Sequence, residues 1–186
     1  MKTLLAAAVS AFALTAGAAF AQDNPMVGGA AMYPDRNIVE NAVNSADHTT
    51  LVAAVQAAGL AETLMGEGPF TVFAPTNEAF AMLPAGTVDS LLLPENHDQL
   101  VHILTCHVVA ANAMSATIAQ MIEADGGAHP VTTVGGCTFT LMQPEGIGGP
   151  IQIRDEQGNV ATVTIADVRQ SNGVIHVIDH VLMPAM

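Results

Sequence analysis

The chain has 186 residues, 51% of them hydrophobic and 11% charged, with 4 Lys and Arg against 17 Asp and Glu and a formal net charge of −13 at pH 7. That length suits one domain able to bury a core without a metal or a dense disulfide network. So few cations speak against nucleic acid and anionic membranes as partners, because affinity for either rests on Lys and Arg neutralising phosphate charge.

The first residues read as an export signal. Lys2 gives a short basic start, Leu4 to Phe20 is an apolar stretch of Ala, Leu, Val and Phe, and Ala19-Phe20-Ala21 supplies a small-x-small cleavage site. Residues 1–21 are therefore expected to be removed. The apolar run is too short to span a bilayer, and each later one is broken by His, Asp, Gly or Pro, so no membrane span is expected. After cleavage the basic residues are Arg36, Arg154 and Arg169, and the acidic balance reads as a solubility device rather than a cation site.

Residues 22–32 are small, polar and Gly-rich and read as a flexible leader, with order expected from Tyr33. Pro34 and Asp35 open a helix whose stripe is Ile38/Val39 and Ala42/Val43. A second helix is capped by Thr49 or Thr50, faces inward through Leu51, Val55 and Ala58, and stops at Gly59. Short helical turns are expected at 61–65 and 77–83, and between them Phe70-Thr71-Val72-Phe73, bounded by Pro69 and Pro75, reads as a buried strand. Helical patterns resume at 87–93 and 95–104. Cys106-His107-Val108-Val109 reads as a strand, and Ser115 caps a helix through Ile118, Met121 and Ile122 to Gly126-Gly127.

The last third alternates in the manner of strands. Val131 to Val134 and Cys137 to Met142 flank Gly135-Gly136 as a two-residue hairpin. Ile151/Ile153 and Ala161/Val163/Ile165 alternate with polar neighbours, and Gln157-Gly158-Asn159 turns one strand into the next. Asn172-Gly173 leads into a nearly continuous apolar strand, Val174 to Leu182. Helices first and antiparallel strands after make the class α+β.

Three stretches carry a family resemblance: Gly68 to Phe80 (GPFTVFAPTNEAF), His107-Val108-Val109, and Asn172 to Pro184 (NGVIHVIDHVLMP). In this order they resemble the fasciclin-like domain over residues 33–184. The resemblance implies a wedge of two mainly antiparallel sheets covered by helices from the N-terminal half. It also implies an exported module, in the periplasm, outside the cell or on its surface, that binds a protein or glycan in adhesion or matrix contact without catalysis. Some relatives instead carry carotenoids, and the 10 Met residues suit an apolar ligand as well as an ordinary core. Thr76, His107, Asn172, Gly173 and His176 are the positions the resemblance marks, and they read as structural. Asp167-Val168 stands where certain matrix relatives carry an integrin-engaging Asp-Ile pair, so it is a candidate partner contact; the competing reading has Asp167 ending a strand and Val168 packed beneath it.

Cys106 takes the place of the family's usual Tyr. Two cysteines in an exported chain are expected as one disulfide, Cys106–Cys137, the alternative being two buried thiols. Neither a metal nor a cofactor is expected. His176 and His180 on one strand would lie ~13 Å apart, and His97 and His102 diverge by ~140° around a helix. The chain lacks Gly-x-Ser-x-Gly, the metalloprotease helix motif and a phosphate-cradling loop.

Overall fold

The computed structural model describes residues 24–185 apart from Ile147; the expected signal segment lies outside the described residues. The leader reading needs correction. Met26–Val27 (β1) and Ala30–Ala31 (β2) form a small antiparallel hairpin, and Val27 and Met32 are buried. Order therefore begins ahead of Tyr33, because two apolar side chains in this Gly-rich stretch are enough to anchor it.

Six short helices follow within the next eighty residues: α1 (Ile38–Ala42), α2 (Thr49–Ala57), α3 (Ala61–Met65), α4 (Asn77–Ala81), α5 (Thr87–Leu91) and α6 (His97–Cys106). Strand β3 (Phe70–Pro75) is threaded between α3 and α4. Beyond come β4 (Val108–Val109), α7 (Ser115–Ala124), β5 (Ala128–Thr132), β6 (Thr138–Met142), β7 (Gln152–Arg154), β8 (Val160–Gln170) and β9 (Gly173–Ile178). The main sheet runs β4-β3-β9-β8-β7-β6-β5. All its pairs are antiparallel except β3 with β9, which run parallel from Phe70↔Gly173 to Pro75↔Ile178. The expected wedge of two mainly antiparallel sheets is present as two halves, β4-β3-β9 and β7-β6-β5, which β8 joins into one continuous seven-stranded order.

Central strands covered on both faces explain the continuous apolar runs of β3 and β9. Val72, Ala74, Ile175 and Val177 turn toward a core shared with Ile38, Leu51, Leu64, Leu100 and Leu104 of the N-terminal helices. Phe73 and Ile178 turn the other way, into a second core with Ile118 and Ile122 of α7 and with Phe139, Leu141, Ile153 and Ala161.

Along β8 the inward phase changes. Ala161 and Val163 are buried, then Val168 and Gln170, while the register against β9 shifts between Val163/Ile165 and between Ile165/Val168. An irregularity flips which face a side chain meets, and Asp167 takes the left-handed conformation there, at φ 59°. The predicted strand end at Ala166 is instead this kink within one strand.

Three other boundaries differ. Cys106 closes α6 rather than opening a strand. β9 stops at Ile178, with Val181 and Leu182 buried beyond it as irregular chain. The β5–β6 connection spans residues 133–137, since Thr132 pairs with Thr138. No described helix is long and apolar enough to cross a membrane.

Candidate functional site

The marked residues gather along the β3–β9 seam, and their polar atoms point inward. Thr76 leaves β3 and caps α4, its hydroxyl oxygen accepting from the Ala79 N–H at 3.3 Å. The neighbouring Asn77 does the capping of α2 that the sequence assigns to Thr49 or Thr50: its carbonyl accepts from the Thr50 N–H at 3.0 Å, and its amide donates to Ala46 O at 2.9 Å. One Pro-Thr-Asn triplet thereby sets two helix starts.

Asn172, in the β8–β9 turn, ties three segments. It accepts from the Ile38 N–H at 3.1 Å and donates to the carbonyls of Leu64, at 2.7 Å, and Gly66, at 2.9 Å. Gly173 beside it faces Phe70 so closely that a Cβ would overlap the Phe70 carbonyl. The glycine serves close strand approach.

Both marked histidines are buried and neutral. His107 donates from Nδ1 to Ile103 O at 2.8 Å and accepts at Nε2 from the Leu182 N–H at 3.0 Å. Burial pushes its pKa down to about 4, because a second ring proton would meet a donor with no solvent to receive it. His176 donates from Nε2 to Ala113 O at 2.8 Å and accepts at Nδ1 from the Asp167 N–H at 3.3 Å, and burial lowers its pKa too. Its ring stacks on Phe73, with centroids 5.8 Å apart.

Of the Asp167-Val168 pair, Val168 packs inward while Asp167 is half-buried. Val168 is 0% exposed, and the Asp167 carboxylate accepts from the Ser115 N–H at 2.6 Å and from the Ser115 hydroxyl, holding the start of α7. These bonds offset the strain of a positive φ in a residue other than Gly. Ser115, Asp167 and His176 are residue types of a hydrolytic triad, yet Ser115 is held by the carboxylate and both ring nitrogens are engaged by backbone groups, so the imidazole cannot take the serine proton.

Cys106 and Cys137 stand at disulfide distance, with Cα atoms 5.5 Å apart. His102, one turn before Cys106, brings Nε2 to 4.0 Å from the Cys137 sulfur, a neighbour that sequence spacing to other histidines could not reveal. His48 was likewise missed. Its Nδ1 lies 2.8 Å from the Ser45 hydroxyl, its Nε2 is buried without a hydrogen-bond partner, and burial holds its pKa below the usual range. It borders an apolar cavity of about 60 Å³, lined also by Val27, Met32, Leu51, Leu64 and Ile175. That volume is far below the ~300 Å³ or more of pockets for drug-sized ligands, so this cavity is too small to enclose a carotenoid.

Two other polar anchors escaped the sequence. Asn41, 0% exposed, exchanges bonds with the Tyr33 backbone and donates to Gln170. Asp155 accepts from the N–H groups of Gln157, Asn159 and Met183 and from the Asn159 amide, tying the C-terminal segment to the β7–β8 turn. The Asp-x-x-Gly-Asn order is a recognisable Asx-turn signal; nothing in the sequence singles out Asn41. On the surface, Asn37, Glu67, Asn112 and Ser171 line an open, polar groove of about 470 Å³ beside the Asn172-Gly173 turn.

A mixed sheet roofed by short helices, with its marked residues consumed by internal bonds, defines a structural domain of α+β class. The fasciclin domain family model matches residues 46–184. The chain is 47% identical over 165 residues to protein sll1483 of Synechocystis sp., covering 89% of this chain and 83% of that protein. It is 34% identical over 177 residues to the cell surface glycolipoprotein MPB83 of Mycobacterium bovis, covering 90% and 70%. The structure of a FAS1 domain pair from the insect cell adhesion molecule fasciclin I superposes with a TM-score of 0.56 at 26% identity, over 69% of this chain and 42% of that one. The chain belongs to the fasciclin domain family, whose relatives include cell-surface and cell-adhesion proteins.

Proposed function

We propose that this chain is an exported, non-enzymatic binding module that contacts a protein or glycan at the cell surface, in the periplasm or in a surrounding matrix. The observation that carries the reading is the inward commitment of the marked polar groups: Thr76, His107, Asn172 and His176 all spend their hydrogen bonds on the fold. Relatives named for the cell surface and for adhesion supply the setting. Recognition is then left to the outer surface, and the polar groove beside the Asn172 turn is the contact face with donors and acceptors to offer. Cys106 and Cys137 are bridged in the exported form, and closing a loop across their separation of 31 residues stabilises by about 3.5 to 4 kcal/mol on the chain-entropy account.

The test is saturable binding of the labelled domain to intact cells and isolated matrix of its own source, competed by unlabelled domain. Placing Arg at Asn112 and at Ser171, on the groove wall, is expected to lower affinity at least tenfold with the fold intact. Binding that does not saturate, or that is untouched by both substitutions, would sink the reading.

A further inference from the structure

The end of α6 and the β5–β6 connection bring a histidine beside the two sulfurs that the fold otherwise joins as a disulfide. One Nδ1 or Nε2 of His102 and the sulfurs of Cys106 and Cys137 all lie within 4.8 Å of one another, with both cysteines buried and His102 exposed. Independent bonds hold this arrangement whether or not the sulfurs are joined. The Gly135 N–H donates to Thr105 O of α6 at 3.1 Å and the Val134 N–H to Val108 O of β4 at 2.8 Å, which pins the connection by backbone, while the Thr133 N–H donates to Cys137 O at 2.9 Å and closes the connection on itself. Gly135 permits the approach: a Cβ there would stand 2.8 Å from the Cys106 sulfur and 2.7 Å from the Thr105 hydroxyl.

We propose that the thiol form of this chain binds one zinc-class divalent cation through His102, Cys106 and Cys137, and that metal binding and the disulfide are mutually exclusive states of the same two sulfurs. Two thiolates and an imidazole are the ligand types that favour a borderline-soft cation over magnesium or calcium. Exposure of His102 leaves the fourth position to water. The chemistry balances with a dithiol as reductant: its two thiols become its own disulfide as the protein bridge is reduced to two thiols. Binding of the cation then releases both thiol protons. The reduced chain would be able to carry the metal, and exchange with a disulfide, itself reduced to two thiols as the Cys106–Cys137 bond re-forms, would expel it.

Cobalt(II) is the probe. The purified chain, reduced with a dithiol, desalted anaerobically and titrated with Co²⁺, is expected to show sulfur-to-cobalt charge transfer and the visible bands of a tetrahedral site, saturating at one equivalent and displaced by Zn²⁺. The oxidised chain should show no reactive thiols and no such bands. Exposed His102→Ala is expected to remain folded by circular dichroism and to weaken cobalt binding at least ~10-fold, the loss seen when even outer-shell partners are removed. Cys137→Ser should abolish the charge-transfer band. Absence of charge transfer in the reduced chain, or affinity unchanged in His102→Ala, would overturn the proposal.

Discussion

Gly173→Ala is expected to lower stability by more than about 3 kcal/mol, the upper end for overpacking a closed contact. The cause is local and severe. Gly173 is the first rung of the parallel β3–β9 pair, opposite Phe70, and the added methyl would need the space of the Phe70 carbonyl. Phe70 N–H also donates to Asn172 O at 3.1 Å, so pushing the strands apart there loosens the turn in which Asn172 joins three segments. Both strands are central and covered on two faces, so no solvent-side adjustment is open to them. Gly66→Ala makes the comparison, since its Cβ would meet the Thr63 carbonyl at 3.1 Å and the Glu62 carbonyl at an ordinary 3.8 Å, and should cost well under half as much. Urea denaturation at matched protein concentration reads both. A Gly173→Ala midpoint within about 1 kcal/mol of the parent would show that the strand pair has slack which the geometry denies it.

The second large effect is on acid stability. Burial holds the folded pKa of His107 at about 4 against the ordinary histidine value of 6.5, so between these values the unfolded chain binds a proton that the folded chain does not. Stability therefore rises with pH in this window. It is fully present above about pH 6.5 and is lost as pH falls through the folded pKa, and the shift corresponds to about 3 kcal/mol. His176 and His48 are lowered in the same direction by burial and add loss of the same sign. Urea unfolding from pH 7 to pH 4 should show a steep decline, partly flattened in His107→Gln, whose amide offers one donor and one acceptor without titrating. A flat profile in the parent chain would contradict the buried, neutral assignment.

What was readable in the sequence is what local chemistry decides. β3 announces itself because it is β-branched and aromatic between prolines, α4 because Thr76 can cap it, and the β7–β8 turn because Gln157-Gly158-Asn159 interrupts two alternating runs. Errors cluster where tertiary packing overrides the local pattern. Cys106 looks like the start of a strand since apolar Val108 and Val109 follow, yet Leu100, Ile103, Leu104 and Cys106 all fall on the buried side of α6, a helical phase that outweighs two short β-branched residues. At Asp167-Val168 the sequence leaves a displayed pair and an inward Val168 both open; Val168 is buried, and the irregularity that turns it inward is what no local pattern marks. The site suffers most from this. His102 meets Cys137 across a sequence separation of 35, and only a fold that docks the β5–β6 connection on α6 can reveal it. His48 and Asn41 are not singled out by the sequence and are buried, His48 beside a cavity that Val27 also lines and Asn41 bonded to the Tyr33 backbone and Gln170.

The central claim is that Thr76, His107 and His176, by which this family is recognised, build the fold, while a partner is recognised at the surface groove beside the Asn172-Gly173 turn. Thr76→Ala tests it most directly, because it removes a cap and should cost about 1 kcal/mol in a domain that stays folded. Its affinity for the cell or matrix target bound by the parent chain should be unchanged, alongside a lowered urea midpoint. A folded Thr76→Ala domain that no longer binds would contradict the claim.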